Sequence, residues 1–260
     1  MGFVNDSWVN AYLTRIGAER PSRPDAEALR VLHLRHQLTV PFENLSIHLG
    51  EDIVLEPGAL VAKVVDRRRG GFCYELNGAF ATLLAALGYE VSLLAARVFG
   101  ENGLGIPHDH LALRVGPWLA DVGFGGHTHY PLRLEERGDQ VDPGGVFRLA
   151  ETPDGDLDVF KDGQAQYRLE PRPRELRDFR AGCWWHRTSP ESHFTRSLVC
   201  SLLTESGRTT LSGRNLVRTV DGARSEEPLG DDAEVLAAYR SVFGVTLECV
   251  PELGGVPVVR

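Results

Sequence analysis

The stretch Arg68-Arg69-Gly70-Gly71-Phe72-Cys73-Tyr74-Glu75-Leu76-Asn77 decides how this chain is read. Two glycines and a cysteine come directly before an apolar helix pattern. Leu76, Phe80, Leu83, Leu84 and Leu87 share one face of it, and Gly88 ends it. Cys73 therefore stands at a helix N-terminus, where free N–H groups and the positive dipole end stabilise an anion. Gly70-Gly71 lets the backbone bend sharply and approach a substrate closely. Most free cysteines are small buried hydrophobes, and Cys183, Cys200 and Cys249 are read that way. At Cys73 the coincidence of Gly-Gly, Cys and helix start points instead to a nucleophile.

N-terminal to this stretch the pattern is helical over roughly the first 85 residues. Trp8, Val9, Tyr12, Leu13 and Ile16 lie on one face, with Asn5-Asp6-Ser7 as cap candidates and Gly17 as the stop. Ser22-Arg23-Pro24-Asp25 resembles a capping box, and Ala28, Val31, Leu32 and Leu38 then share a face. Pro41-Phe42-Glu43-Asn44-Leu45 breaks that helix. After Gly88 the period becomes alternating. Val91–Val98, His110–Val115, Trp118–Val122, Val146–Leu149, Leu157–Phe160 and Gln166–Leu169 read as strands, with turn signals between them at Gly116-Pro117, Asp142-Pro143-Gly144-Gly145 and Pro153-Asp154-Gly155. Such a series suggests a small barrel or curled sheet. Pro171-Arg172-Pro173-Arg174 reads as a linker. Beyond it come strands at Leu198–Leu203, Thr209–Leu211 and Leu216–Val220, and a last helix capped by Asp231-Asp232 and stopped by Gly244.

His110 opens a strand 37 residues after Cys73, and Asp121 follows in the next strand. Thiol, imidazole and carboxylate in this order give a nucleophile, a base and a group that fixes the base's tautomer. That combination points to acyl transfer through a thioester on Cys73. Asp121 lies between Ala120 and Val122, so burial is expected, and a buried carboxylate needs a partner. The two strands form a hairpin in this reading, and the trio meets if register and face agree. Asp109 is an alternative orienting acid, disfavoured because neighbours on a strand point to opposite faces.

His108-Asp109-His110 and His127-Thr128-His129 each offer two metal ligands on a strand, but no third ligand is evident, so no metal is expected. His108 and His129 are read as exposed loop residues. His186 and His193 follow Trp184-Trp185 and either line an aromatic pocket or pack in the ordinary way. Glu43 is read as an ion-pair or turn residue rather than a catalytic acid. Arg67-Arg68-Arg69 is either a solvated turn or an anchor for an anionic substrate such as a phosphorylated carrier.

The chain has 260 residues, 42% hydrophobic and 25% charged, enough for one large core or two to three small packed domains. A net charge of −8 argues against general nucleic-acid binding. No window approaches a membrane span. Met1–Asp6 lacks a basic region followed by an apolar core, so no secretory signal is expected. Four scattered cysteines without a C-x-x-C pair suit reduced thiols and a cytoplasmic location.

Taken together, these residues resemble the arylamine N-acetyltransferase family. The match runs through Val40-Pro41-Phe42-Glu43-Asn44-Leu45, Arg69-Gly70-Gly71-Phe72-Cys73-Tyr74-Glu75-Leu76-Asn77, His110-Leu111 and Asp121-Val122-Gly123-Phe124-Gly125-Gly126. Order and spacing agree from about Trp8 to Phe243. The resemblance implies an α+β fold: an N-terminal helical bundle (1–88) carrying the nucleophile, a central β-barrel (89–174) carrying His and Asp, and a C-terminal α/β lid (175–260), around a cysteine-protease-like Cys-His-Asp core. It implies Cys73 as acetyl carrier, His110 as base and Asp121 as orienting acid. Phe42, Phe124 and Phe194 are the expected substrate-binding residues. Gly126 and Asp109 are the positions expected beside the cofactor. The position before the histidine is often Thr or Ser in the family, and here it is Asp109, an anion facing an anionic cofactor. The large insertion of the vertebrate enzymes is absent, which fits a bacterial type.

The activity implied is a ping-pong transfer from acetyl-CoA to an arylamine or arylhydrazine, without a metal, by a monomer or homodimer. Three alternatives stand beside it. An amide synthase of the same fold takes a polyketide from an acyl carrier protein and closes a macrolactam. A Cys-His-Asp hydrolase acts without coenzyme A. A non-catalytic binding module leaves Cys73 unreactive.

Overall fold

The computed structural model describes residues 7–253. The first helix, α1 (Ser7–Ile16), turns Val9, Tyr12, Leu13 and Ile16 inward; its expected caps Asn5 and Asp6 lie outside the described residues. Helix α2 (Ala26–Thr39) is capped by Asp25, whose carboxylate accepts the Ala28 N–H at 2.9 Å, so the cap falls three residues after Ser22. The break at Pro41 is itself structured: it contains a two-residue strand, β1 (Phe42–Glu43), followed by α3 (Leu45–His48). Helix α4 (Pro57–Val65) starts with a proline at its first turn, where the missing N–H costs nothing. Helix α5 (Cys73–Ala86) is buried on nearly every side rather than along one stripe. It packs against α1 and α4 and against strands that follow it.

Those strands are β2 (Val91–Gly100), β3 (Gly103–Leu104), β4 (His110–Val115), β5 (Trp118–Ala120), β6 (Leu132–Arg133), β7 (Gln140–Asp142), β8 (Gly145–Glu151), β9 (Leu157–Lys161) and β10 (Gln164–Arg174). They form one antiparallel sheet in the order β6-β5-β4-β2-β10-β9-β8-β7, with β3 paired to β2. The sheet curls until its edges nearly meet. The Gln140 side chain bridges them, accepting the Arg133 N–H and donating to the Arg133 carbonyl. Leu94, Phe147, Val159, Tyr167 and Leu169 fill the interior. At about 2–3 kcal/mol for each large apolar side chain fully buried, this filling stabilises the curled sheet.

Pro171–Arg174 is not a linker but the end of β10. Pairing with β9 stops at Leu169, while Pro173 and Arg174 still pair with β2 after a register shift. Proline is tolerated there because that end of the strand has a neighbour on one side only.

A 3-10 turn (Leu176–Phe179) leads into α6 (Arg180–Thr188) and α7 (His193–Arg196). Then come β11 (Val199–Thr204), β12 (Gly207–Ser212), β13 (Asn215–Val220), β14 (Ala223–Pro228) and α8 (Asp232–Phe243), the last capped by Asp231 and ended by Gly244 at φ +66°. This second sheet runs β1-β11-β12-β13-β14, so its edge strand comes from the helical part of the chain. Phe42 pairs with Ser201 and Glu43 with Cys200. Among the described residues no helix is long and apolar enough to cross a membrane.

Candidate active site

Cys73 is the first residue of α5. The Glu75 carboxylate reaches back to accept the Phe72 N–H at 3.3 Å, fixing the first turn. Behind it lies a buried ion-pair network. Lys63 Nζ donates to Glu75 Oε1 at 2.5 Å and to Ser46 Oγ at 2.8 Å. Arg69 Nε donates to Glu43 Oε1 at 2.9 Å, and Arg69 also reaches Glu51 at 3.3 Å. Glu43 Oε2 accepts the Leu45 N–H at 2.7 Å. Burial alone would raise the Glu43 carboxyl, but Lys63 and Arg69 hold it below the usual carboxylate range. Gly70 is required by this packing, since a Cβ there would stand 1.8 Å from the Pro41 carbonyl. Gly70 and Gly71 thus serve the fit of the loop against its own chain, and neither lines the cavity described below.

The β4–β5 register pairs Leu113 with Ala120. One step further sets Asp121 opposite Ala112, on the face that carries His110. His110 Nε2 donates to Asp121 Oδ2 at 2.7 Å, with both side chains buried. Asp121 Oδ1 accepts from Asn77 Nδ2 at 2.9 Å and from the Gly123 N–H at 3.0 Å. The Asp121 N–H donates to His33 Nε2 at 3.1 Å. Burial pulls His110 down, but the charge and hydrogen bond of Asp121, with Cys73, push it up to about 10. Burial alone would raise Asp121; His110 outweighs it and holds the carboxyl well below its ordinary range. Cys73 Sγ lies 4.0 Å from the carbonyl of Asp109, the residue directly before His110. The result is a pre-formed His110–Asp121 pair beside a cysteine at a helix N-terminus, surroundings of the kind that can activate a cysteine. Burial raises Cys183 to about 12 and Cys200 well above its ordinary value.

Cys73 and His110 lie at one wall of a cavity of about 790 Å³. Phe42, Phe124, Trp185 and Phe194 line it, the last two from the lid. Such a volume suits a small-molecule site with apolar walls and few polar groups.

Comparison with known proteins gives this geometry its context. A family model described as N-acetyltransferase matches residues 25–251. An arylamine N-acetyltransferase of Mycolicibacterium smegmatis is 37% identical over 253 residues, covering 92% of each chain. The chain belongs to the arylamine N-acetyltransferase family. Two solved structures agree with the fold. The arylamine N-acetyltransferase from Salmonella typhimurium superposes with a TM-score of 0.86 at 32% identity, covering 98% of this chain and 93% of that one. The Mycobacterium marinum arylamine N-acetyltransferase in complex with CoA gives 0.82 at 36% identity, covering 91% and 92%.

In this family member the residues singled out from sequence fall as follows. Phe42, Phe124 and Phe194 line the cavity, together with Asp109. Gly126 is outside its lining, and its carbonyl accepts from Lys161 at 2.7 Å. Arg67-Arg68-Arg69 is not one surface patch: Arg67 and Arg68 are exposed, while Arg69 is buried against Glu43. His108 and His129 are half-buried rather than exposed, because Phe179 packs on one and Asp142 holds the other. Among the described residues no three metal-ligating side chains converge. Other residues of the site were not given a role from sequence. Asn77, four residues after Cys73 and so on the same helix face, binds Asp121, the Leu111 carbonyl and the Val122 N–H. That spacing was a usable signal. His33 and Tyr167 reach the site across 88 and 46 residues respectively, measured to Asp121, and no local pattern announces them.

Proposed function

We propose that this protein transfers acetyl from acetyl-CoA to arylamines or arylhydrazines in two steps through Cys73. The observation that carries the reading is the meeting of Cys73 with the buried His110–Asp121 pair at one cavity, in a chain of this family. In the first step His110 takes the Cys73 proton as the sulfur attacks the thioester carbonyl, the bond from carbonyl to the coenzyme A sulfur breaks, and His110 returns that proton to the departing thiolate. In the second the neutral amine attacks acetyl-Cys73, the carbon–sulfur bond breaks, and the amine proton passes through His110 to the Cys73 sulfur. Asp121 keeps Nε2 protonated, so Nδ1 remains the nitrogen that works on the sulfur. Transfer from thioester to amide is downhill, so the protein's contribution is orientation and activation. An amine of low basicity suits the site because it is neutral at pH 7. The assignment includes Phe42, Phe124 and Phe194 as acceptor walls and the cytoplasm as the location, where Cys73 stays reduced.

Intact-protein mass spectrometry after mixing with acetyl-CoA alone tests the reading. One acetyl group should add, disappear on adding an arylamine, and be absent in Cys73→Ala. An adduct on Cys73→Ala overturns the nucleophile assignment. No adduct on a protein whose Cys73 still alkylates overturns the donor, and a carrier-bound acyl chain is then the donor to try.

A further inference from the structure

Asp109 places an acidic side chain on the wall of the cavity that a polyanionic thioester has to enter. Its carboxylate does not stand free. His186, on α6 of the lid, sets Nε2 2.9 Å from Asp109 Oδ1 and donates to the Asp109 carbonyl at 3.2 Å. The other oxygen, Oδ2, accepts the Val98 N–H at 3.1 Å. Gly105 closes over that same oxygen, where a Cβ would stand 2.0 Å away. His186 is in turn fixed: Nδ1 lies 3.3 Å from the buried Ser192 Oγ, which accepts the Phe194 N–H at 3.2 Å. The imidazole packs edge-on against Phe72 and Phe194, with centroids at 6.2 and 5.1 Å.

One run of contacts therefore joins the residue before His110 to the aromatic lid wall. Both oxygens of Asp109 are engaged by groups with no other anion to serve, and the loop above has no side chain at Gly105. A free carboxylate here would repel the phosphates of the donor at short range in a poorly screened site. We propose that His186 is a charge-masking and positioning residue for the acetyl donor. It holds the Asp109 carboxylate against Val98 and Gly105, so that an anionic thioester reaches Cys73 without meeting an unpaired negative charge. The inference rests on the acetyl-CoA reading above.

The test compares Cys73 acetylation by acetyl-CoA with acetylation by 4-nitrophenyl acetate, an uncharged donor. His186→Ala should lower the second-order rate with acetyl-CoA by about 10-fold, with little relief from added salt because the Asp109 carboxylate is buried. The uncharged ester should acetylate the variant within about twofold of the wild-type rate, because it carries nothing for Asp109 to repel. Adding Asp109→Asn to His186→Ala should restore the acetyl-CoA rate. Gly105→Ala, which displaces the carboxylate from the opposite side, should reproduce the donor-selective loss without touching the lid. Equal losses with both donors, or no restoration by Asp109→Asn, overturn the proposal. The ester rate also reports whether each variant keeps a working Cys73. A wild-type protein acetylated by the ester but not by acetyl-CoA overturns the donor assignment and this inference with it.

Discussion

Asp121→Asn replaces one oxygen of a buried carboxylate with an NH2 group, and the surroundings dictate which one. Oδ1 accepts from two donors, Asn77 Nδ2 and the Gly123 N–H. An NH2 cannot face two donors, so the amide oxygen takes that place and the NH2 turns to His110. Nε2 must then accept instead of donating, which puts the ring proton on Nδ1, toward Cys73. The imidazole can no longer take a proton from sulfur or amine. The loss expected in kcat is about 10³–10⁴-fold, the scale seen when a triad histidine is locked in the wrong tautomer. Parting a buried ion pair by removing one partner costs roughly 3–5 kcal/mol. The two hydrogen bonds kept by the amide oxygen reduce this to about 2–4 kcal/mol. Single-turnover acetylation and iodoacetamide labelling of Cys73, in a Cys249→Ser background because Cys249 is exposed, measure the first quantity. Urea titration measures the second. A variant that keeps more than about a tenth of the wild-type labelling and acetylation rates would refute the tautomer argument.

Stability should fall as the pH drops below about 6.5, well above the carboxylate range. Burial pulls His36 to about 3 and His127 to about 4, so each binds its proton first in the unfolded chain, losing about 2 kcal/mol apiece by pH 5. His110 has the opposite sign: its contribution is full below the unfolded value of about 6.5 and fades as pH rises toward about 10. Urea titrations from pH 5 to 9 on wild type and Asp121→Asn separate the two, because only the wild type should show the alkaline decline. Arg69→Lys should cost roughly 2–4 kcal/mol, since an ammonium cannot span Glu43, Glu51 and Ser46 as the guanidinium does. A thermal melt unchanged within error contradicts the network. Cys73→Ala should abolish acetyl transfer while leaving the melting temperature within a few degrees of wild type, checked by calorimetry beside the mass measurement, because the side chain lost is small.

Several features were legible because their signals are local. The helix start at Cys73, the alternation around His110 and the cap at Asp231 each depend on residues within one turn or one strand, whereas the cap of α2 falls at Asp25, three residues after Ser22. The face shared by His110 and Asp121 follows from a short hairpin. What sequence concealed is non-local. β1 is two residues long and exists because β11, much later in the chain, pairs Ser201 with Phe42 and Cys200 with Glu43. β14 shows no alternation because every residue in it is exposed. α4 hid behind its opening Pro57-Gly58, usually a turn signal. Asp109 was read as an anion facing the cofactor because its partner, His186, lies on another part of the chain.

The short segment Phe42–Leu45 is gripped from two directions. The Glu43 N–H donates to the Gly71 carbonyl in the loop ahead of Cys73, while the Asn44 N–H donates to the Val199 carbonyl and Asn44 Oδ1 accepts the Val199 N–H. The ribosome delivers Cys73 more than a hundred residues before Val199. A nascent chain therefore carries its thiol on an unfinished platform, without the second sheet behind the loop. The loop ahead of Cys73 gains this backing only once β11 has been made, so the platform under the cysteine is completed by a part of the chain that arrives long after it.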